Sequence, residues 1–171
     1  MGQVTISIVG IGNTVMGDDG VGVCVAEVLR ERIGASSTLQ IVSGGVAGML
    51  LMPAVLAADH VIFIDAMAVD DEPGSVFRMD PDVAGITGLR STTSHGMGVP
   101  YLITNARLLG HAATYLVYGI QIGDIMLGPD SLSPPVHAAV MRVADLIAKD
   151  VASMRSASGN MDEASAGSRR T

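Results

Sequence analysis

Apolar positions recur along this chain with two different periods, and the switching between them predicts the fold class. Val4-Thr5-Ile6-Ser7-Ile8-Val9 mixes alternation with β-branched side chains and stops at Gly10, which predicts a first strand. Val21, Cys24, Val25, Val28 and Leu29 then recur at helical spacing with Glu27, Arg30 and Glu31 between them, an amphipathic helix ending near Gly34. Residues 39–42 predict a second strand, followed by the turn Ser43-Gly44-Gly45. A short helix from Ala47 should be broken or restarted by Pro53. Residues 61–64 are continuously apolar, as in a parallel strand buried on both faces, and Asp65 is expected to end that strand. After the turn Pro73-Gly74, residues 76–79 predict a short edge strand, and residues 81–93 are irregular or weakly helical.

A second helical stripe follows at Val99, Leu102, Ile103, Ala106 and Leu109, then a strand over residues 115–120. Ser133 is placed to cap a last helix with Pro134 in its first turn and Val136, Val140, Val143 and Ile147 facing the core. Strands alternating with helices predict parallel pairing, right-handed crossovers and a three-layer α/β/α sandwich. Residues 1–152 are expected to form one domain. From Ser153 to Thr171 the chain is Ser, Gly, Ala and charge without periodicity, so a disordered tail is expected there.

Composition narrows the function classes. At 171 residues the chain can bury one sizeable core, and its apolar fraction is 49% with no uninterrupted run of membrane-helix length. The first apolar run leads into a glycine turn and reads as a strand rather than a signal peptide, so a soluble cytoplasmic protein is expected. Cys24 is the single cysteine, which excludes an internal disulfide and a Cys-rich zinc cluster. The net charge of −7, without a basic cluster outside the last residues, excludes a phosphate-neutralising groove. Neither a nucleic-acid nor a membrane partner is expected.

Ligands of an open parallel sheet bind beyond the carboxyl ends of its strands. That rule selects the 10–22 loop, the Ser43-Gly44-Gly45 turn and Asp65. Asp18 and Asp19 stand where a helix begins, and capping is the plain explanation for either. Asp65 is harder to explain that way, because a carboxylate after a buried apolar strand is costly unless paired, hydrogen-bonded or bound to a cation. Two acids at one edge repel, which a metal ion or a shared proton relieves. His95, among small and hydroxyl residues in Thr92-Thr93-Ser94-His95-Gly96-Met97, is the third candidate, with an inert loop histidine as its alternative. Met16, Met49, Met67 and Met97 fall near the same edge. Core filling is their expected role, with a soft apolar groove the alternative.

A dinucleotide fingerprint is weighed against these. Gly10-Ile11-Gly12 follows a strand, but the next glycine, Gly17, has the wrong spacing, and Asp18-Asp19 would repel a pyrophosphate. The Gly-Lys-Ser/Thr of a P-loop, the His-Glu-x-x-His helix and the Gly-x-Ser-x-Gly elbow are all absent.

Gly10-Ile11-Gly12-Asn13-Thr14-Val15-Met16-Gly17-Asp18-Asp19-Gly20-Val21-Gly22 resembles the N-terminal signature of the hydrogenase maturation endopeptidases. The Gly-Gly turn, the Asp after strand three and the loop histidine follow in the family's order. Thr92 to Met97 with Tyr101-Leu102-Ile103, and Gly119-Ile120-Gln121, look closest to its formate-hydrogenlyase branch. The resemblance covers residues 3–150. It implies a five-stranded, mostly parallel twisted sheet and a metal-coordinating, catalytic trio, which here would be Asp19, Asp65 and His95. It also implies an endopeptidase, filed with the aspartic type, that acts as a monomer without an organic cofactor. The substrate would be a hydrogenase large-subunit precursor that brings its own nickel and loses its C-terminal extension. Two oxygens and an imidazole suit such a metal and leave positions open on it. Gly44 and Gly45 could offer backbone N–H groups to the peptide, or form a plain tight turn. Many relatives carry an acid where this chain has Ser43. Two other readings use the same residues: a non-catalytic nickel-binding chaperone, and a Rossmann-like nucleotide module.

Overall fold

Five strands form one sheet in the order β2-β1-β3-β5-β4, parallel except for β4, which pairs antiparallel with β5 at one edge. The computed structural model describes residues 3–84, 98–123 and 132–167. The strands are β1 (Ile6–Ile11), β2 (Leu39–Gly45), β3 (His60–Met67), β4 (Val76–Met79) and β5 (Thr114–Gln121). The helices are α1 (Val21–Ile33), α2 (Met52–Leu56), α3 (Pro81–Ala84), α4 (Val99–Leu108) and α5 (Pro134–Gly167). A 3₁₀ turn, Gly48–Leu51, runs straight into α2, whose first turn contains Pro53, so the proline restarts the helix as its missing N–H allows.

Strand alternation sorts the core into two layers. Ile6, Ile8, Ile62, Ile64 and Ala66 meet Val25 and Leu29 of α1 and Val136, Val143 and Ile147 of α5. Val9, Val61, Phe63 and Val117 meet Val55 of α2 and Leu102, Ile103 and Ala106 of α4 on the other face. The architecture is therefore the expected three-layer α/β/α sandwich. No helix among the described residues is long and apolar enough to cross a membrane.

Three features differ from the sequence expectations. β3 does not stop at Asp65 but continues to Met67, because β5 keeps pairing with it at Asp65↔Gly119, Ala66↔Ile120 and Met67↔Gln121. Leu109, counted in the α4 stripe, lies just past the helix and is 65% exposed. The last helix runs on to Gly167, where an irregular tail was expected from Ser153. Val151 is buried and Met154 packs against the core, and extending a formed helix costs far less than nucleating one.

Polar ties hold the layers. Arg78 of β4 forks onto Asp150 of α5 through Nε (2.9 Å) and Nη2 (3.1 Å), and the Tyr118 hydroxyl donates to the same carboxylate at 2.7 Å. Burial, then the Asp150 carboxylate, pushes the Tyr118 hydroxyl well above the ordinary phenol range. At the amino edge of the sheet, Thr5 donates its N–H and its hydroxyl to Asp59 Oδ2, each at 2.8 Å. The Thr5 backbone N–H, then its hydroxyl, hold Asp59 below the usual carboxylate range. A depressed folded value means that the Asp59 contribution is complete above its unfolded value of about 3.9 and disappears as pH falls through the folded one. Wild type should therefore exceed Asp59→Asn in Tm at pH 5, with the gap closing below about pH 4. A gap that stays constant in thermal melts from pH 5 to pH 2 would contradict this assignment.

Ser7, wholly buried in β1, has a hydroxyl with no hydrogen-bond partner. A buried unpaired hydroxyl is a net cost, so Ser7→Ala should raise stability by about 1 kcal/mol in urea titration. A loss of stability on that substitution would show that the hydroxyl is satisfied.

Candidate functional site

β1 and β3 part company at their carboxyl ends. Their pairing ends at Gly10↔Ile64; Ile11 then pairs with Gly45 of β2, whereas β3 continues with β5. The chain leaves β1 for β2 on one side, while β3 and β5 lie on the other, so this divergence is the topological switch point of the sheet. In open parallel sheets this is where ligands bind. Asp65 is the first residue of β3 beyond the divergence. It is 2% exposed, and its Oδ1 accepts the N–H of Ala66 at 2.9 Å. By alternation its side chain shares the face of Val61 and Phe63, the face covered by α4.

The first turn of α1 sits directly on this divergence. A Cβ at Gly22 would collide with the carbonyl oxygens of both Ile11 and Ile64, so the close approach requires glycine. Gly12, at φ +138°, has no room for a side chain against the Asp19 carbonyl either. These glycines place the 3₁₀ turn Gly17–Gly20, which leads into α1, over the carboxyl edge and against β3. Asp19 is therefore held at the carboxyl edge of the sheet, in the turn that packs against β3. It is 6% exposed, and its Oδ2 accepts the Asn13 N–H at 2.9 Å. Asn13 is in turn shaped by its own side chain, which accepts the N–H of Val15 at 3.2 Å.

Capping explains neither acid. Gly20 is the N-cap of α1, and no side chain caps that terminus. Asp18 turns instead toward the opposite end of the chain. It accepts the Ser133 N–H at 2.6 Å, the Ser133 hydroxyl at 2.8 Å and the Gly123 N–H at 3.3 Å. Ser133, expected to cap α5 with its side chain, gives its hydroxyl hydrogen to Asp18. Sequence reasoning missed this tie because 115 positions separate the partners.

The remaining candidates are placed as follows. Gly44 is buried and Gly45 has φ +54°, and both carbonyl oxygens are used internally, Gly44 by Ala47 and Gly45 by Gly12 (3.1 Å each). Ser43 Oγ accepts a hydrogen bond from Arg30 at 2.9 Å, and Arg30 also donates to the Ile41 carbonyl at the open edge of β2. Met67 is core, Met16 is half-buried and Met49 is exposed. His95 and Met97 lie outside the described residues. Among the described residues no three His, Cys, Asp or Glu side chains form a group that could hold a metal. What the described geometry shows is two buried carboxylates, Asp19 and Asp65, at the carboxyl edge where β1 and β3 diverge.

The fold is a three-layer α/β protein with two buried acids, Asp19 and Asp65, at the carboxyl edge of its sheet. The description "hydrogenase maturation protease" matches residues 23–150. The hydrogenase expression/formation protein HupD of Bradyrhizobium diazoefficiens is 32% identical over 143 residues, covering 82% of this chain and 74% of that protein. Two solved structures superpose well. The hydrogenase maturating endopeptidase HybD from E. coli has a TM-score of 0.78 at 22% identity, covering 88% of this chain and 93% of that one. The [NiFe] hydrogenase maturation protease HycI from Thermococcus kodakarensis has a TM-score of 0.71 at 29% identity, covering 86% and 92%. At its lower identity the first of these speaks for the fold alone. This chain belongs to the hydrogenase maturation protease family. Its relatives carry HupD, HybD and HycI names alike, so membership is stated for the family and not for one branch.

Proposed function

We propose that this protein is a cytoplasmic, monomeric endopeptidase that removes the C-terminal extension of a nickel-containing hydrogenase large-subunit precursor. The observation that carries the proposal is the pair of nearly inaccessible carboxylates, Asp19 and Asp65, at the carboxyl edge of the sheet in a chain belonging to this family. Two carboxylates at one edge give it a negative potential that attracts a cation. In this reading the cation is the nickel that the precursor already holds, so metal-loaded and empty precursors are told apart by the attraction between the ion and the two acids. His95 would complete the set; it stands three positions before Gly98, the residue that precedes α4 at the same edge. One carboxylate then takes a proton from a water as that water adds to the scissile carbonyl carbon. The C–N bond breaks and the proton passes to the departing amine. Gly44 and Gly45 would border the bound peptide through their backbone.

The decisive experiment incubates the full-length protein with nickel-loaded precursor and follows intact mass. Shortening of the large subunit, absent with nickel-free precursor, is expected. A large subunit that stays full length, while a control protease of the family trims its own precursor, would leave the protein as a nickel-binding chaperone without peptidase activity.

A further inference from the structure

The segment Gly12-Asn13-Thr14 lies back to back with Asp19-Gly20. A Cβ on Gly12 would fall 1.9 Å from the Asp19 carbonyl oxygen, and one on Gly20 would fall 2.7 Å from the Thr14 Cα. Asn13, half-buried between Gly12 and Thr14, gives three groups to the loop. Its N–H donates to Asp19 Oδ2 at 2.9 Å, its carbonyl accepts the Met16 N–H at 3.0 Å, and its side-chain Oδ1 accepts the Val15 N–H at 3.2 Å. The last of these is an Asx turn, a side-chain copy of a backbone turn, which Asn at the first position of the 13–16 turn makes available. The other ties of the loop are backbone bonds that any residue at position 13 would keep. They run from the Gly12 N–H to the Gly45 carbonyl at 3.1 Å, from Met16 to Asn13, and from the Asp19 N–H to the Met16 carbonyl at 3.3 Å. The carboxamide is therefore not needed to close the loop; it fixes the direction in which residue 13 presents its N–H.

We infer that Asn13 is a positioning residue for Asp19: its carboxamide sets the turn whose N–H holds Oδ2, and so sets the orientation in which Asp19 meets the cation brought by the substrate. The inference rests on the function proposed above and adds to it a residue that acts through Asp19 rather than on the metal. An aspartate side chain has two torsions, and a fixed donor on one oxygen selects one combination of them. A ligand aligned in advance loses less freedom when the ion arrives, and removing such an outer partner typically lowers metal affinity or activity about 10- to 100-fold. Asp18 shows that position alone does not supply the alignment. It stands beside Asp19 on the same 3₁₀ turn, yet its carboxylate goes to Ser133 and Gly123. The direction of an acid on this turn is chosen by the donor that meets it, and for Asp19 Oδ2 that donor is Asn13.

The test uses Asn13→Ala and Asn13→Ser in the full-length protein, since a serine hydroxyl accepts the same N–H more weakly. Hydrogen exchange followed by NMR reads the residue-13 amide directly and needs no substrate. Exchange should be slow in wild type, about tenfold or more faster in Asn13→Ala and intermediate in Asn13→Ser, and Asp19→Ala should release the same amide. The Tm of Asn13→Ala should fall by no more than about 2–4 °C, the effect of one hydrogen bond in a chain of this length. With nickel-loaded precursor, kcat/KM should fall about 10- to 100-fold in Asn13→Ala and recover in part in Asn13→Ser. Nickel-free precursor, added as a competitor, should keep its wild-type inhibition constant with both variants. An inhibition constant that rises with the loss of kcat/KM would make Asn13 a structural residue of the loop and overturn the inference. Unchanged amide exchange in Asn13→Ala overturns it as well, and so does an unchanged kcat/KM or a serine variant no better than alanine. A wild-type protein that never shortens the precursor sinks the proposed function instead, and amide exchange still decides whether Asn13 orients Asp19.

Discussion

Asp65→Asn should lower precursor processing by about 10²- to 10⁴-fold, the range typical of losing a positioned acid–base group. The substitution keeps the shape of the side chain and an oxygen that can accept the Ala66 N–H, so the local backbone has no reason to move. What it removes is the negative charge. That charge sits 2% exposed at the place where β1 and β3 separate. In the proposed reading that charge attracts the nickel of the precursor, so the loss should show both in processing followed by intact mass and in binding of nickel-loaded precursor. Tm should remain close to wild type. Processing at the wild-type rate by a folded Asp65→Asn would remove this residue from the reaction. The same assay on Asp19→Asn asks whether the two acids act as a unit. If they do, the double variant should be no slower than the slower single one.

Asp18→Ala should have the opposite signature, a large loss of stability. The Asp18 carboxylate, 4% exposed, takes three hydrogen bonds from Ser133 and Gly123, and these join the start of α1 to the exit of β5 and the start of α5. Alanine would leave two backbone N–H groups and a hydroxyl short of their acceptor in a partly buried place. A hydrogen bond to a charged group contributes about 1.5–3 kcal/mol, and three sharing one carboxylate are not additive, so the expected loss is about 3 kcal/mol. For a chain of this length that corresponds to a fall in Tm of about 6–12 °C. Ser133→Ala alone should cost less, because the Ser133 N–H keeps its bond to Asp18. A double-mutant cycle in urea should return a coupling of about 1 kcal/mol or more between the two positions. Additive effects would mean that the Ser133 hydroxyl contributes nothing through Asp18.

The contrast between these neighbouring acids marks where sequence reasoning stopped. Local patterning was enough for the elements. Alternation at Ile6 and Ile8, the unbroken run before Asp65 and the stripe Val136, Val140, Val143 and Ile147 each describe a face that must be covered, and burial follows. The three layers then follow from strand–helix alternation, because parallel neighbours need crossovers on both faces. The glycines of the 10–22 loop marked the tight approach of α1 to the carboxyl edge of the sheet as well, since Gly12 and Gly22 are required by contacts that this approach creates.

Tertiary structure decided what adjacency in sequence could not. Asp18 and Asp19 look alike as letters and alike as helix-start acids, yet one faces Ser133 and the other Asn13. That difference is set by which partner the fold brings up to each carboxylate, and a partner 115 positions away leaves no local periodicity to read. The end of β3 shows the same physics. Asp65 reads as a terminator on its own, but the hydrogen bonds offered by β5 carry the strand two residues further. The sequence by itself determined an α/β domain with acids at its carboxyl edge. Only the packing of β1, β3 and α1 decided which of those acids lies where β1 and β3 part and which one closes the fold.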